Sequence, residues 1–284
     1  MAGWTFGDLF GPNRGADLSD GWIAKYGPDG VRRWGRQFGT PGADAVSGIA
    51  VDGQGRIFAA GFTNGPFAGP GHGDGDGWLA RLDPSGRFLW RRQVGTGAED
   101  DIAAVALEPN GDVVVAGSTW GSLAGPNRGR DDAWIGRYDA NGRLRWLRQI
   151  GSAYWDRADC LATDRAGNLL VAGYAERPWL AKYDGAGRLS WRRELGPSNY
   201  DAAATIATDG TGAVYLATFV RGEPGMVKYD RAGQLVARRR ILGAGDDIAL
   251  AVALDRWRNV LLVGGLRLPP EGYGDAWVAK FAPM

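Results

Sequence analysis

Five acidic residues recur at one place in a repeated phrase: Asp44, Asp100, Asp156, Asp201 and Asp247. Carboxylates gathered at one mouth of a closed assembly attract a cation or a polar ligand. The same side chains can instead bond the amides of their own loops, as aspartate does in turns. A residue that every copy of a repeat carries is read first as architecture. Asp52, Glu108, Asp164, Asp209 and Asp255 open hairpin turns, and Asp20, Asp76, Asp132 and Asp275 precede a strand. Both sets read as structural.

Aromatic residues that break the repeat carry more information. Trp120 and Phe6 fall in long loops, and Tyr154, Trp155 and Tyr200 fall between the end of one copy and the start of the next. Exposed aromatics stack on sugar rings or anchor a protein partner. The candidate ligand-binding set is therefore Trp120, Tyr154, Trp155 and Tyr200 with the five recurrent aspartates. Asn13, Arg14, Asn127 and Arg128, in the twice-used GPNRG, shape their loops.

No catalytic set emerges. The chain has one cysteine, Cys160, and one histidine, His72. That all but excludes a Cys–His pair or a His-rich metal site, and Cys160 falls at a strand position suited to a buried, inert thiol. The segment GHGDGDG holds His72, Asp74 and Asp76, but it lacks the later bidentate Glu of an EF-hand and occurs once. No metal and no cofactor are expected.

The elements that position these residues are repeats, sought at periods of tens of residues. Three phrases recur in fixed order. The first is DGWIAKY from Asp20, DGWLARL from Asp76, DAWIGRY from Asp132, PWLAKY from Pro178, GMVKY from Gly225 and DAWVAKF from Asp275. The second is RRWGRQFG, FLWRRQVG, LRWLRQIG, LSWRRELG and VARRRILG. The third joins two apolar strands through a turn, as in DAVSGIAVDGQGRIFAAG from Asp44. The Trp22–Trp78 and Trp78–Trp134 spacings are both 56 residues, and Trp134–Trp179 is 45. Much of the variation lies in the loop before the first phrase, which marks one face of the assembly.

Each phrase reads as strand, short and rich in β-branched, aromatic or alternating residues. The connections DGQG, EPNG, DRAG, DPSG and DANG suit a type I turn followed by a residue of positive φ, a three-residue hairpin loop with a bulge. No amphipathic helix of ten residues is present. Glycine, 47 of 284 residues, is abundant, and so is tryptophan at 13. Trp22, Trp78, Trp134, Trp179 and Trp277, with Trp34, Trp90, Trp146 and Trp191, are predicted to fill layers between sheets. Pairs two apart, as Trp34 and Arg36, share a strand face and are placed to stack.

Four strands per copy of about 45–56 residues predict an all-β fold, a β-propeller of four-stranded antiparallel blades. Six blades are expected, with the first and last incomplete; a five-bladed ring is the alternative. Approximate boundaries are 1–42, 43–98, 99–154, 155–199, 200–245 and 246–284, all in a single domain. Met1 aligns with Val115, so the chain opens inside a second strand, and it ends with a third. The natural protein is accordingly expected to begin further upstream, where a leading strand would complete the last blade.

The order D-[AG]-W-h-A-[KR]-[YF], D-x-x-G, W-x-R-Q-h-G, D…A-V-D-x-x-G, V-A-G-x-T resembles the SBBP-type bacterial β-propeller repeat family. The loops NGPFAGPGHGDGD and GSLAGPNRGRDD look like that family too, and the resemblance covers nearly the whole chain. The fourth and fifth copies depart from it, with Pro178 in place of Asp-Ala and Gly225 in place of Trp. The resemblance implies a propeller, often of secreted or surface proteins, with no shared catalytic residues. The N-terminus carries no signal-like segment.

Lys plus Arg is 33 and Asp plus Glu is 32, a net charge of +1 that gives no reason to expect non-specific binding to nucleic acid or an anionic membrane. No apolar run reaches 18 residues, so no transmembrane helix is expected. The reading at this level is a non-enzymatic binding or scaffold module, related to protein interaction or the cell surface, with an unknown protein or glycan ligand on the long-loop face. A carbohydrate-binding propeller is the first alternative, and an enzyme acting at the channel mouth is the second.

Overall fold

The computed structural model describes residues 1–15, 17–196, 202–220, 223–240, 248–265 and 276–283. The chain is all-β, and the described residues contain no helix. Six antiparallel sheets follow one another in chain order, the blades of a six-bladed β-propeller.

The first sheet has three strands, β1 (Ala2–Thr5), β2 (Asp20–Tyr26) and β3 (Arg32–Phe38). The second has four, β4 (Asp44–Val51), β5 (Ile57–Thr63), β6 (Asp76–Leu82) and β7 (Phe88–Val94). The third is β8 (Ala104–Leu107), β9 (Val113–Thr119), β10 (Asp132–Tyr138) and β11 (Leu144–Ile150). The fourth is β12 (Arg157–Thr163), β13 (Leu169–Tyr174), β14 (Pro178–Tyr183) and β15 (Leu189–Glu194). The fifth is β16 (Ala202–Thr208), β17 (Val214–Val220), β18 (Glu223–Tyr229) and β19 (Leu235–Arg240). The sixth again has three, β20 (Ile248–Leu254), β21 (Val260–Gly265) and β22 (Ala276–Phe281). The incomplete first and last sheets are those that the repeat pattern predicts.

The turn chemistry follows the sequence. Asp52, Asp83, Asp139, Asp184 and Asp230 each accept, at the backbone carbonyl, the amide of the glycine three residues on. Those glycines hold φ between 74° and 81°, as at Gly142 with 74° and Gly86 with 81°. Only glycine adopts such a φ without cost. In the hairpins between third and fourth strands the register slips by one residue beside the turn, between Arg81 and Leu82 and between Arg137 and Tyr138, the bulge that this turn imposes.

The chain divides into two compact units, Met1–Ala158 and Asp159–Met284. In the first, Phe38, Phe67, Trp78 and Leu82 pack with Ile23 and Ile57 in one core, and Ile102, Val113, Val115 and Trp134 pack with Phe58 and Leu79 in another. In the second, Cys160, Leu170, Leu180, Leu216 and Val227 form one core, and Tyr215, Met226, Val260 and Leu262 another.

The repeated tryptophans of the third and fourth strands are either fully buried or half-buried. Trp78, Trp134 and Trp179, on third strands, are fully buried. The Trp78 indole donates to the carbonyls of Ala45 and Phe62, at 3.1 and 3.0 Å, and Trp134 repeats this with Asp101 and Ser118. The glycine paired with Trp78, Gly61, is required here, because a Cβ on it would stand 2.0 Å from the Ala45 carbonyl oxygen. Trp22 is only half-buried; its sheet lacks the strand equivalent to β4, and its indole keeps just the second-strand bond, to the Trp4 carbonyl. The fourth-strand Trp34, Trp90, Trp146 and Trp191 are also half-buried. Trp34, Trp90 and Trp191 pack against the cores of their layers and also reach the turn of the following sheet.

Candidate functional site

The recurrent aspartates sit where one sheet hands over to the next. Asp44 Oδ2 accepts the Thr40 amide at 2.6 Å and the Thr40 hydroxyl at 2.9 Å. Asp100 does the same with Thr96 at 2.6 and 2.8 Å, and Asp156 with Ser152 at 2.7 Å for both. All three are buried. Burial pushes the Asp44 and Asp100 carboxyls above the ordinary range, against the hydrogen bonds that pull them down, and the neighbouring Asp20 and Asp76 charges add to the rise. Asp201 and Asp247, together with Tyr200, lie outside the described residues.

Asp20, Asp76 and Asp132 hold the long loops through a side-chain relay. Asp20 accepts the Arg14 amide and Gln37 Nε2, Asp76 the His72 amide and Gln93 Nε2, and Asp132 the Arg128 amide and Gln149 Nε2. The other end of each glutamine accepts a loop amide, from Phe10, Ala68 and Ala124 respectively. The Asp76 carboxylate of GHGDGDG is thus turned to its own loop. Among the described residues, no three His, Cys, Asp or Glu side chains gather at metal-binding distance. Cys160 is buried against the Ala172 carbonyl, and burial raises its thiol far above the usual range.

The loop aromatics are exposed: Trp120 by 49%, Tyr154 by 55% and Trp155 by 49%. Asn127 Nδ2 donates to the carbonyls of Trp120 and Arg130, and the Arg130 amide donates to Tyr154 at 3.4 Å. The Arg130 guanidinium lies 5.4 Å over the Trp155 ring. One loop therefore ties the other, and Trp120, Tyr154 and Trp155 share that framework. Asn13 does the equivalent work for Phe6, donating to its carbonyl at 2.7 Å.

A second feature of the first unit was not visible as a motif. Between β3 and β7 runs a cleft of about 580 Å³, within the size range of small-molecule sites. Its floor is aromatic. Phe38 packs against Phe67 at 5.7 Å and Phe88 at 5.1 Å, with Phe67 and Phe88 5.9 Å apart. Phe10 and Trp34 also line it. Its rim carries Arg14, Arg36 and Arg91, all exposed. Arg91 lies over Phe67 and Phe88, at 5.1 and 5.5 Å. Among the described residues no carboxylate forms an ion pair with any of these three arginines.

The cleft exists because the first copy departs from the repeat. Aligned positions read Gly35, Arg91 and Leu147 on the fourth strand, and Phe10, Ala68 and Ala124 in the loop. A Cβ on Gly35 would stand 2.5 Å from the Phe10 ring, so Gly35 makes the space that Phe10 occupies. Phe38 stands where the later copies have Val94 and Ile150. The corresponding groove between the second and third sheets is lined by Val94, Leu123, Leu144 and Leu147 with one arginine, Arg92. The signal was present in these substitutions, but attention to shared residues conceals it.

Comparison with solved structures supports the fold. A protein of unknown function from Bacteroides caccae superposes with a TM-score of 0.58 at 13% identity, covering 85% of this chain and 78% of that one. A gluconolactonase from Xanthomonas campestris, described as important in glucose secondary metabolic pathways, superposes with a TM-score of 0.55 at 16% identity, covering 93% and 78%. At these identities the likeness concerns the fold alone. No curated protein matches the chain.

The expectation of a non-enzymatic scaffold is corrected by the second neighbour, in which this architecture belongs to an enzyme. That expectation rested on the lack of a contiguous catalytic motif. A propeller assembles its sites from single residues of several sheets, so a missing motif carries little weight. Residues 33–68 match the family model described as the beta-propeller repeat, SBBP, and the chain carries that repeat.

Proposed function

We propose that the chain recognises a small organic anion with a flat apolar ring, in the arginine-rimmed cleft of its first unit. The observation that carries this reading is the conjunction of Arg14, Arg36 and Arg91, free of carboxylate partners, with a floor of Phe38, Phe67 and Phe88. Arginine presents a planar fork that meets carboxylate or phosphate oxygens in pairs. The phenyl floor takes the ring, by edge-to-face packing and apolar burial.

A melting-temperature screen with benzoate, phenyl phosphate and their neutral amide and ester analogues tests the reading. A ligand that binds only the folded chain raises the melting temperature. The anions should stabilise the protein and the neutral analogues should not. Arg91→Ala and Arg14→Ala should each lose about 1.5–3 kcal/mol of binding, roughly tenfold or more. Equal shifts from neutral analogues, or full binding by both variants, would overturn it.

A further inference from the structure

We propose that the second unit carries a docking tip for anionic lipid surfaces, formed by Arg256, Trp257 and Arg258. The tip is the turn that joins β20 to β21. Its backbone is that of the other hairpin turns: Arg258 donates its amide to the Asp255 carbonyl at 2.9 Å, as Gly55, Gly167 and Gly212 do to theirs. Asp255 Oδ1 accepts the amides of Trp257 and Asn259, also at 2.9 Å.

Two of the residues it displays, Trp257 and Arg258, differ from those of every related turn, while Arg256 has a counterpart in Arg165. Where Gly55, Gly111, Gly167 and Gly212 stand, this copy has Arg258, with φ of 65°. Among the described residues it is the one non-glycine at positive φ. An L residue with a long side chain is strained in this region. Strain of this kind, kept where glycine is the rule, points to what the side chain presents.

The position before it repeats the argument. The aligned residues are Gln54, Asn110, Ala166 and Thr211, all small or polar, against Trp257 here. Trp257 is 61% exposed at the apex of the hairpin. The Arg256 guanidinium lies 3.9 Å from its ring centroid, and Lys280 Nζ 5.8 Å.

The adjoining turn extends the positive surface. A Cβ on Gly210 would meet the Arg165 guanidinium at 3.0 Å, and Arg258 acts on Asp209 of the same turn, helping to hold its carboxyl below the usual range. The turn at 209–212 therefore has Arg165 and Arg258 beside it. Of the acidic groups present, Asp255 pairs with Lys280 at 2.8 Å and Asp164 with Lys182 at 2.9 Å, which leaves Asp209 set against Arg165, Arg256 and Arg258. A net charge of +1 for the whole chain conceals this local concentration.

An amphipathic indole at an exposed apex suits the headgroup level of a bilayer, and the flanking guanidinium groups suit its phosphates. A strand of nucleic acid would call for successive aromatic platforms along a groove, whereas this tip offers a single indole. Lipid is therefore the partner that the arrangement fits, as a weak peripheral contact reinforced by anionic headgroups.

Co-sedimentation of the full chain with vesicles tests the proposal. One set is phosphatidylcholine alone, and the other contains about 30% phosphatidylserine, at low and at high salt. The expected result is binding to the anionic vesicles that weakens with salt. It should be lost in Trp257→Ala, whose melting temperature should match the parent because the side chain is exposed. Arg258→Gly should melt higher and bind less, which separates the docking role from a structural one. Equal binding to both vesicle types, or undiminished binding by Trp257→Ala, overturns the proposal. So does binding to an oligothymidylate in place of vesicles.

Discussion

Trp90 on β7 donates its indole N–H to the carbonyl of Ala140, 3.1 Å away in the turn of the next sheet. Two residues on, Arg92 lies 5.6 Å over the same indole and donates from Nε to the Gly142 carbonyl at 3.0 Å. Trp191 and Arg193 repeat the pair in the second unit, reaching Arg231 at 3.2 Å and Gly233 at 2.8 Å. Trp34 does the same to Pro84 at 3.1 Å. The W-x-R phrase is thus a clasp that fastens one sheet to the following turn.

The clasp yields the first prediction. Trp90→Phe keeps most of the ring and removes the donor, and should cost about 1 kcal/mol, the usual net worth of one hydrogen bond. Gly142→Ala should cost more, about 1–3 kcal/mol, because φ there is 74° and a Cβ would stand 3.0 Å from the Trp90 ring. Urea unfolding of the two variants checks the order. A neutral Gly142→Ala would contradict the clasp geometry.

The buried carboxylates predict an unusual pH dependence. Asp100 is buried beside Asp76, and each has one oxygen without a hydrogen-bond partner. Burial raises the Asp100 pKa above 3.8, and the Asp76 charge adds to the rise. A raised folded pKa means that this group's stabilising contribution is complete below its unfolded value and is lost as pH rises through the folded one. Asp100→Asn keeps an acceptor for Thr96 and adds a donor for Asp76. The variant should therefore equal or exceed the parent in stability at neutral pH and fall behind it as pH drops toward 4. A large loss at pH 7 would show that the charge itself is needed.

The turn aspartates act in the opposite sense. The Ser85 hydroxyl and the Arg87 amide hold the Asp83 carboxyl at about 2. The Arg188 amide and guanidinium likewise lower Asp184. A depressed folded pKa gives stability that is present above the unfolded value of 3.8 and lost as pH falls through about 2. The parent's melting temperature should thus decline between pH 4 and 2, and Asp83→Asn should flatten that decline. Identical acid curves for the two proteins would remove Asp83 from the account.

The repeated parts of the fold were readable from the sequence because each copy states the same physics. Asp-x-x-Gly specifies a turn through glycine's access to positive φ, and the Trp in Asp-Gly-Trp specifies a buried third strand. Both are local signals repeated often enough to average out noise. The half-burial of Trp34 and Trp90 was not readable, since it depends on where the next sheet's turn lies. The exposed loop aromatics Trp120, Tyr154 and Trp155 stood out as departures from the repeat. The cleft was missed although it too is made of departures, because Gly35 and Phe10 lie 25 positions apart in the sequence and acquire meaning only when β3 and the first loop are brought together.

That juxtaposition supplies the last prediction. Gly35 lies inside β3 with its partner Ala24 on β2, so an alanine there is compatible with the strand. Its Cβ would still meet the Phe10 ring at 2.5 Å, closer than real contacts allow. Phe10 must then shift, and it forms one wall of the cleft. Gly35→Ala should keep the sheet intact, lower stability by about 1–3 kcal/mol through overpacking, and weaken the anion at least tenfold. Arg36, on the same strand, would remain in place, so the charge of the rim is unchanged. Titration calorimetry with phenyl phosphate separates the outcomes. Lost affinity with retained fold shows that the ring needs the Phe10 wall as well as the floor. Retained affinity would mean that the Phe10 wall plays no part in recognition and that the ring lies on the floor of Phe38, Phe67 and Phe88 alone.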